Sequence, residues 1–549
     1  MKTADKQPER FDISLEELTA LVDSAAEKPL DEAGVRKLKA AVQTLGYLTE
    51  LVSDKATTLK RLRELLGIEF GNTEKTKAVL AAVAAAVDSA NPAADGQPDR
   101  GGSNAADNGN QEKRPGHGRR PARDYESAKR VPVEHGQLHH GDGCPECPKG
   151  KVYAQKNEPA QLVRVTGQAP LQATVYELER LRCGSCGTVF TAPAPEDVGP
   201  DKYDELAGAM IAELKYGTGM PFNRLEHLEQ RLGVPLPAAT QWEIAEEVAD
   251  VAKPAWEELI RQAAQGEVVH GDDTSMRVLK LTRPPEDERT GVFTTGVVSV
   301  AGERQIAVYF TGRKHAGENL AEVLKRRAGE LPLPVLMCDA SASNTSQLDE
   351  GVEMLLARCL AHGRRKIVSV AGSFPEQCIH VLVELGKVYK VDAEAKERKL
   401  TPAQRLQLHQ EQSQPVMEEL EKWMNRQFAE RLVEPNSGLG KAITYLQRHW
   451  KGLTLFLRQE GAPLDNNLVE RVLKKAVLHR KNALYYRTIH GAEVGDLFMS
   501  LIETCRLNGV NSFDYLVELQ RHAAELLARP ADWMPWNYRA TMEARAAAH

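Results

Sequence analysis

Past Gly266 the hydrophobic pattern of this 549-residue chain changes period from helix to strand, and the stretch that follows constrains the fold more tightly than any other. EVVHGDDTSMRVLKL, GVFTTGVVSVAG and RQIAVYF are three runs rich in β-branched and aromatic residues, with turn residues between them. They predict three consecutive antiparallel strands. Residues 317–328 carry Leu320, Val323 and Leu324 at helical spacing, and the apolar run Pro334-Val-Leu-Met-Cys-Asp339 predicts a short buried strand behind that helix. Three strands, a helix and a fourth strand make a mixed core, neither all helix nor all sheet.

That order is the one of an RNase H-like α/β core, which would gather three acids from separate elements. They are Asp272 at the end of the first strand, Asp339 at the end of the fourth and Glu470 on a late helix. Carboxylates are natural ligands for Mg²⁺ or Mn²⁺, hard cations that prefer oxygen. Phosphoryl transfer on DNA asks little covalent chemistry of a protein, but it uses two such cations about 3.5 to 4 Å apart, one at the attacking and one at the leaving oxygen. Asp273 is adjacent to Asp272, and strand alternation lets only one of the two face such a site.

Charge bears on the partner. The chain holds 71 Lys+Arg and 77 Asp+Glu, a net of −6, which by itself argues weakly against nucleic acid. Residues 441–490 reverse that, with ten Lys/Arg against three acids, a net of +7. If a helix starts near Asn467, then Glu470, Lys474 and Lys481 share one face, with Arg480 beside them. The carboxylate would hold metal while Lys474, Arg480 and Lys481 meet DNA phosphate. A solvated charged helix is the plain alternative, and it leaves Pro463-Leu-Asp-Asn-Asn-Leu-Val before Glu470 unexplained. In CLAHGRRK, Cys359 and His362 can be metal ligands or structural, and we read them as structural, with Arg364 and Arg365 near DNA.

The rest of the chain divides into helices, a tether and a cysteine module. Ser14 and Glu17 form a capping-box pattern, a second helix begins after Pro29, and Leu38, Leu45, Val52, Leu59 and Leu66 recur every seventh residue. That seam predicts either a self-associating coiled coil or a helix packed on its own domain. Residues 91–111 have almost nothing to bury and read as a linker, and residues 112–130 add seven Lys/Arg and three acids, a solvated tether or a DNA-backbone contact. Cys144-Pro-Glu-Cys147 and Cys183-Gly-Ser-Cys186 are two knuckles 35 residues apart. Cys144, Cys147, Cys183 and Cys186 predict a zinc ribbon around one structural Zn²⁺, because four thiolates suit a tetrahedral site and leave no open position. Redox thiols are the alternative, and they do not explain two knuckles. Residues 221–248 read as helix, glycine turn at Gly233 and helix, with Thr240 as a cap, a rhythm shared by groove-binding and core helix pairs. The second helix is acidic. Thr401-Pro402 opens a helix in a largely helical insertion.

Taken together these motifs resemble transposases of the insertion sequence 66 family, over nearly the whole chain. The resemblance runs through LKRLRELLGIEFGNTEK, GHGRR, the paired knuckles, LKYGTGMPFNRLEHLEQRLGV, HGDDTSMRV and CLAHGRRK to PLDNNLVERVLKKAVLHRKNALYY with LIETCRLNGVN, the most specific part. It implies a DDE-type enzyme with Asp272 and Asp339 as the paired aspartates and Glu470 as the glutamate, each also a ligand of the divalent cations. Two departures stand out: Asp272-Asp273-Thr274 where the family usually has Asp-Glu-Thr, and Asp339-Ala-Ser-Ala-Ser-Asn without the family's frequent Gly and Tyr.

The expected architecture is multidomain α+β, an RNase H-like core with a helical insertion, preceded by a helical or coiled-coil segment and a zinc ribbon. The expected boundaries are a helical segment at 1–88, a flexible basic linker at 89–135, the ribbon at 136–197 and a helical block with a DNA-binding option at 198–265. The core follows at 266–371, the insertion at 372–460, and core completion with carboxy-terminal helices at 461–549. The expected function is metal-dependent end cleavage and strand transfer of a mobile element. A DNA-binding regulator that has lost catalysis, or a nuclease without strand transfer, are the alternatives. Expected partners are double-stranded DNA of element ends and target, a second copy of the chain, and accessory proteins. With no run of 18 apolar residues and no apolar signal core at the amino terminus, the expected location is the cytoplasm, with no membrane.

Overall fold

The computed structural model describes scattered positions between 23 and 39, parts of 131–199, and residues 201–547 apart from 282–288 and 342–352. Two units are distinguished, 1–90 and 91–549. In the first, Asp31 starts a helix: its Oδ1 accepts from the Gly34 N–H at 2.7 Å and its carbonyl from the Val35 N–H at 3.0 Å. A helix after Pro29 was expected on sequence. The Ser14–Glu17 box and the seam from Leu45 to Leu66 lie outside the described residues.

In the second unit the described residues include a tight turn at the first cysteine knuckle, where the Cys144 N–H donates to the Gly150 carbonyl at 2.9 Å. Strands β1 (Arg180–Arg182) and β2 (Val189–Thr191) pair antiparallel on either side of the second knuckle. Cys147, Cys183 and Cys186 lie outside the described residues. Helix α1 (Glu205–Ala212) is capped by Asp204 and runs into a π-turn at Glu213–Gly217. Next come α2 (Phe222–Arg231), a turn at Gly233 with φ +86°, and α3 (Ala238–Ala263). Thr240 therefore lies within the first turn of α3 and does not cap it. Pro237, held extended, occupies the cap position, and its carbonyl takes the first helical bond, from the Gln241 N–H at 3.0 Å.

Among the described residues five strands form the main sheet: β3 (Val268–Ser275), β4 (Phe293–Ala301), β5 (Arg304–Gly312), β6 (Val335–Cys338) and β7 (Leu355–Arg358), with α4 (Ala316–Leu324) between β5 and β6. Their order is β5-β4-β3-β6-β7, with β4 antiparallel to both its neighbours and β6 and β7 parallel to β3. The three expected strand runs thus form the antiparallel half, and the buried run after α4 returns beside the first strand. After β7 the chain enters α5 (Leu360–Val368), then α6 (Pro375–Glu397), α7 (Pro402–Gln412), α8 (Gln414–Ala429) and α9 (Gly438–Leu453). Thr401 caps α7 in a capping box with Gln404, as its position before Pro402 predicts. The chain then returns to the sheet in α10 (Asn467–Ala483) and α11 (Ile489–Leu507), and ends in α12 (Ser512–Arg521), α13 (Ala523–Ala528) and α14 (Tyr538–Ala546).

The core is contiguous, joining Val269, Val297, Val308 and Leu336 of the sheet to Leu320 of α4, Leu473 of α10 and Phe498 of α11. The apolar stripe of α3, including Ile244, Val248 and Leu259, is buried in the same core, and its exposed side carries Glu243, Glu247 and Asp250. The outer strand β5 is closed by α11. Asp496 accepts from the Thr311 N–H (2.5 Å) and Oγ1 (2.7 Å), Ser500 Oγ from the Tyr309 N–H (3.0 Å), and Thr504 Oγ1 from the Ala307 N–H (3.1 Å). Asn508 exchanges two bonds with the Gln305 backbone, at 3.2 and 2.7 Å. Every fourth helix residue meets every second strand residue, because four residues of helix rise about 6 Å and two of strand about 6.6 Å. No helix among the described residues is long and apolar enough to cross a membrane.

Candidate active site

The site grows from the alternation of β3. Asp272 lies opposite Gly296 and Asp273 opposite Thr295, so the two carboxylates leave the sheet on opposite faces. On the α10 side, a Cβ at Gly296 would come within 2.9 Å of Leu473 and 3.4 Å of Val469. The bare glycine lets α10 lie close to β4, opposite Asp272. On the α4 side, Asp273 accepts from Thr295 Oγ1 (2.6 Å) and the Ala316 N–H (2.8 Å) and pairs with His315 Nδ1 at 3.1 Å. It anchors the start of α4, where a carboxylate suits the helix N-terminus. Of the two neighbours, Asp272 is the one turned toward Glu470's helix.

Asp339 follows directly on β6. The parallel register pairs His270 with Met337, and two further residues along each strand set Asp272 abreast of Asp339. Asp339 Oδ1 accepts from the Ser341 N–H at 2.8 Å, and the Arg358 guanidinium bonds the Asp339 carbonyl.

Glu470 lies in the first turn of α10, which is pinned by Asn466. The Asn466 Nδ2 donates to the Gly271 carbonyl at 3.0 Å, its Oδ1 lies 3.0 Å from His270 Nδ1, and its backbone N–H donates to Cys359 Sγ at 3.2 Å. With the amide nitrogen on Gly271, Oδ1 must accept, so His270 donates from Nδ1. Burial pushes His270 down to about 4, which keeps the ring neutral. One asparagine thus ties the middle of β3, through its side chain, and the turn after β7, through its backbone, to the start of α10.

Electrostatics bind the three acids into one group. Burial, with the nearby Asp339, Glu470 and Asp273 carboxylates, pushes Asp272 up to about 7, against the pull of the Asp273 N–H. Glu470 Oε1 lies 3.8 Å from His362 Nδ1, and both atoms are buried with no hydrogen-bond partner among the described residues. One ligand atom each from Cys359, His362 and Glu470 fall within 4.8 Å of one another. The sequence set Cys359 and His362 apart as a structural pair, whereas the fold carries them to Glu470. Sequence reasoning also missed Asn466 and His270, although the amides before Glu470 were the signal.

The predicted DNA contacts separate. Lys474 and Lys481 are exposed on α10, Arg365 is exposed on α5, and Arg364 is half-buried. Arg480 does not reach out as expected. It donates to Thr274 Oγ1 (3.0 Å), to Ser275 Oγ (2.7 Å) and to the Ser275 carbonyl, because α10 crosses the end of β3 there.

The sheet and the acid cluster lie inside the span, residues 203–494, that matches the profile of the Transposase IS66 family. The chain belongs to this family of transposases, proteins that act on DNA. Two curated relatives from Sinorhizobium fredii (strain NBRC 101917 / NGR234) are similar to it. Uncharacterized protein y4jD is 27% identical over 402 residues, 67% of this chain and 73% of the relative. Uncharacterized protein y4hP is 23% identical over 391 residues, 66% of this chain and 67% of the relative.

Proposed function

We propose that this chain is a DDE-type DNA transposase that cuts the ends of a mobile element and joins them to target DNA. The observation that carries the reading is the convergence of Asp272, Asp339 and Glu470, with Asp272 raised to about 7 by burial and by its acidic neighbours. The order β5-β4-β3-β6-β7 with β4 reversed supports an RNase H-like core. Three hard oxygen donors held against their own repulsion fit a divalent cation, Mg²⁺ or Mn²⁺, which would relieve that repulsion. When bound, a pair of such cations stabilises charge on the attacking and leaving oxygens of an in-line displacement.

The chain's own residues do the positioning. Asn466 fixes Glu470 relative to β3, and Gly296 sets how closely α10 approaches Asp272. Lys474 and Lys481, exposed on Glu470's helix, bind backbone phosphates of the element end, with Arg365 a further cation on α5. In the first reaction water attacks the phosphorus at the element end, and the broken P–O bond leaves a free 3′-hydroxyl. In the second, that hydroxyl attacks a target phosphorus, its proton is released, and the target strand's own 3′-oxygen departs as a hydroxyl.

A zinc ribbon formed by Cys144, Cys147, Cys183 and Cys186 belongs to this proposal, supported by the tight turn at Cys144 and the β1–β2 hairpin around the second knuckle. So does a homo-oligomer that holds two ends together. End cleavage and strand transfer, measured on oligonucleotides carrying the element's terminal repeats, test the reading with Asp272→Asn, Asp339→Asn and Glu470→Gln. All three should lose both reactions. Full activity in one removes that residue from the site, cleavage without joining by wild type favours a nuclease, and binding without cleavage favours a regulator.

A further inference from the structure

Two helix starts meet beside the acid cluster. Cys359 occupies the cap position of α5 with His362 in that helix's first turn, and Glu470 is in the first turn of α10. The starts are locked together: the Leu360 N–H donates to the Leu464 carbonyl at 2.9 Å, and the Asn466 N–H donates to Cys359 Sγ at 3.2 Å. Helix N-termini favour negative charge, which suits the Glu470 carboxylate, while burial pushes the Cys359 thiol up to about 11, so a bound cation must displace its proton.

The polar groups at this junction are left incomplete. His362 Nδ1 and Glu470 Oε1 face each other at 3.8 Å, too far for a hydrogen bond, and each is buried without another partner among the described residues. A buried polar group left unpaired is costly, so the junction favours a ligand that completes it. A single cation between them would satisfy both atoms and take Cys359 Sγ as a third donor, since the three ligand atoms already lie within 4.8 Å of one another.

We propose that Cys359, His362 and Glu470 bind one zinc-class divalent cation, at a site separate from the Mg²⁺ or Mn²⁺ set of Asp272 and Asp339 and sharing Glu470 with it. Sulfur, imidazole nitrogen and one carboxylate oxygen form a donor set that selects Zn²⁺ or Co²⁺ over Mg²⁺, which demands oxygen. Three protein ligands leave a fourth position open. The ion would cross-link the entry of α5 to the entry of α10 and fix the Glu470 carboxylate through one oxygen, with the other left to the acid cluster. The site rests on this geometry alone and stands or falls apart from the transposase reading, apart from the shared glutamate.

The test is metal content of the full chain after dialysis, in wild type, His362→Ala and Cys359→Ser, with circular dichroism to check folding. Wild type should hold one more equivalent of Zn²⁺ per chain than either variant, which removes any contribution of the cysteine knuckles by subtraction. Loading with Co²⁺ should give a thiolate-to-cobalt charge-transfer band in the wild type minus His362→Ala difference spectrum, and the wild type minus Cys359→Ser difference should contain it too. Equal zinc content in wild type and folded His362→Ala overturns the proposal, and that variant decides alone if Cys359→Ser fails to fold. Asp272→Asn should keep the extra equivalent while losing strand transfer. An extra equivalent in a wild type that neither cuts nor joins DNA supports this site and counts against the transposase reading only.

Discussion

Helices α10 and α11 both lie on the sheet and both bury polar side chains, yet they treat them in opposite ways. Along α11, Asp496, Ser500, Thr504 and Asn508 each find a backbone partner on β5. On α10, Glu470 Oε1 is buried facing His362 without a hydrogen bond. Two aspartates repeat the contrast. Burial pushes both Asp496 and Asp272 up to about 7, but Asp496 is met by the N–H and hydroxyl of Thr311, while Asp272 has acids for neighbours. Along the β5–α11 seam buried polarity is satisfied from within the chain, whereas beside the acid cluster Glu470 Oε1 and His362 Nδ1 are left open among the described residues.

The sharpest way to break this contrast is to neutralise one aspartate of each kind. Asp272→Asn should cut strand transfer on the order of 10³-fold, about 4 kcal/mol of barrier, with folding intact. Asp496→Asn should leave turnover per folded molecule within a few-fold, and an equal loss in both would erase the distinction. Thr504→Val strands the Ala307 N–H and carbonyl and should cost about 2 kcal/mol in a urea titration, with turnover unchanged. Gly296→Ala pushes a Cβ onto Leu473, costs about 1–3 kcal/mol, and should lower activity by a larger factor than overpacking alone explains, because α10 carries Glu470.

The pH dependence has a definite sign. Asp272's folded value is raised, so its contribution to stability is fully present below about pH 4, the ordinary aspartate range, and is lost as pH rises through about 7. In metal-free protein at pH 8, Asp272→Asn should therefore be more stable than wild type by roughly 1–2 kcal/mol, a figure discounted for solvent at the half-buried carboxyl. The two should converge near pH 4 in thermal melts. Asn508→Ala is the mildest change, under about 1 kcal/mol, because water reaches the half-buried rim and replaces the lost bonds.

Much of this arrangement could be read along the chain. β-branched runs bounded by turn residues announced β3, β4 and β5, and strand alternation already separated Asp272 from Asp273. What stayed hidden was contact between distant segments. Asn466 and His270 are 196 residues apart, and no periodicity joins them. Cys359 and His362 looked like an isolated pair because Glu470 reaches them only after the insertion has folded away. Arg480 looked like a phosphate ligand because helical spacing reports a face and not what lies beyond it. Thr240 looked like a cap because its side chain is suited to the task, but the carbonyl of Pro237 had already begun the helix.

The α11 ladder also limits how copies of this chain can assemble. A bare outer strand is a template for β-augmentation, and through it two molecules can fuse their sheets or grow into aggregates. Here the backbone groups of residues 305, 307, 309 and 311 are occupied by a helix from the same chain, so β5 offers no such template. A partner copy that meets this edge must dock on side-chain surfaces instead, where self-recognition is written in sequence and not in the generic hydrogen bonding of a strand.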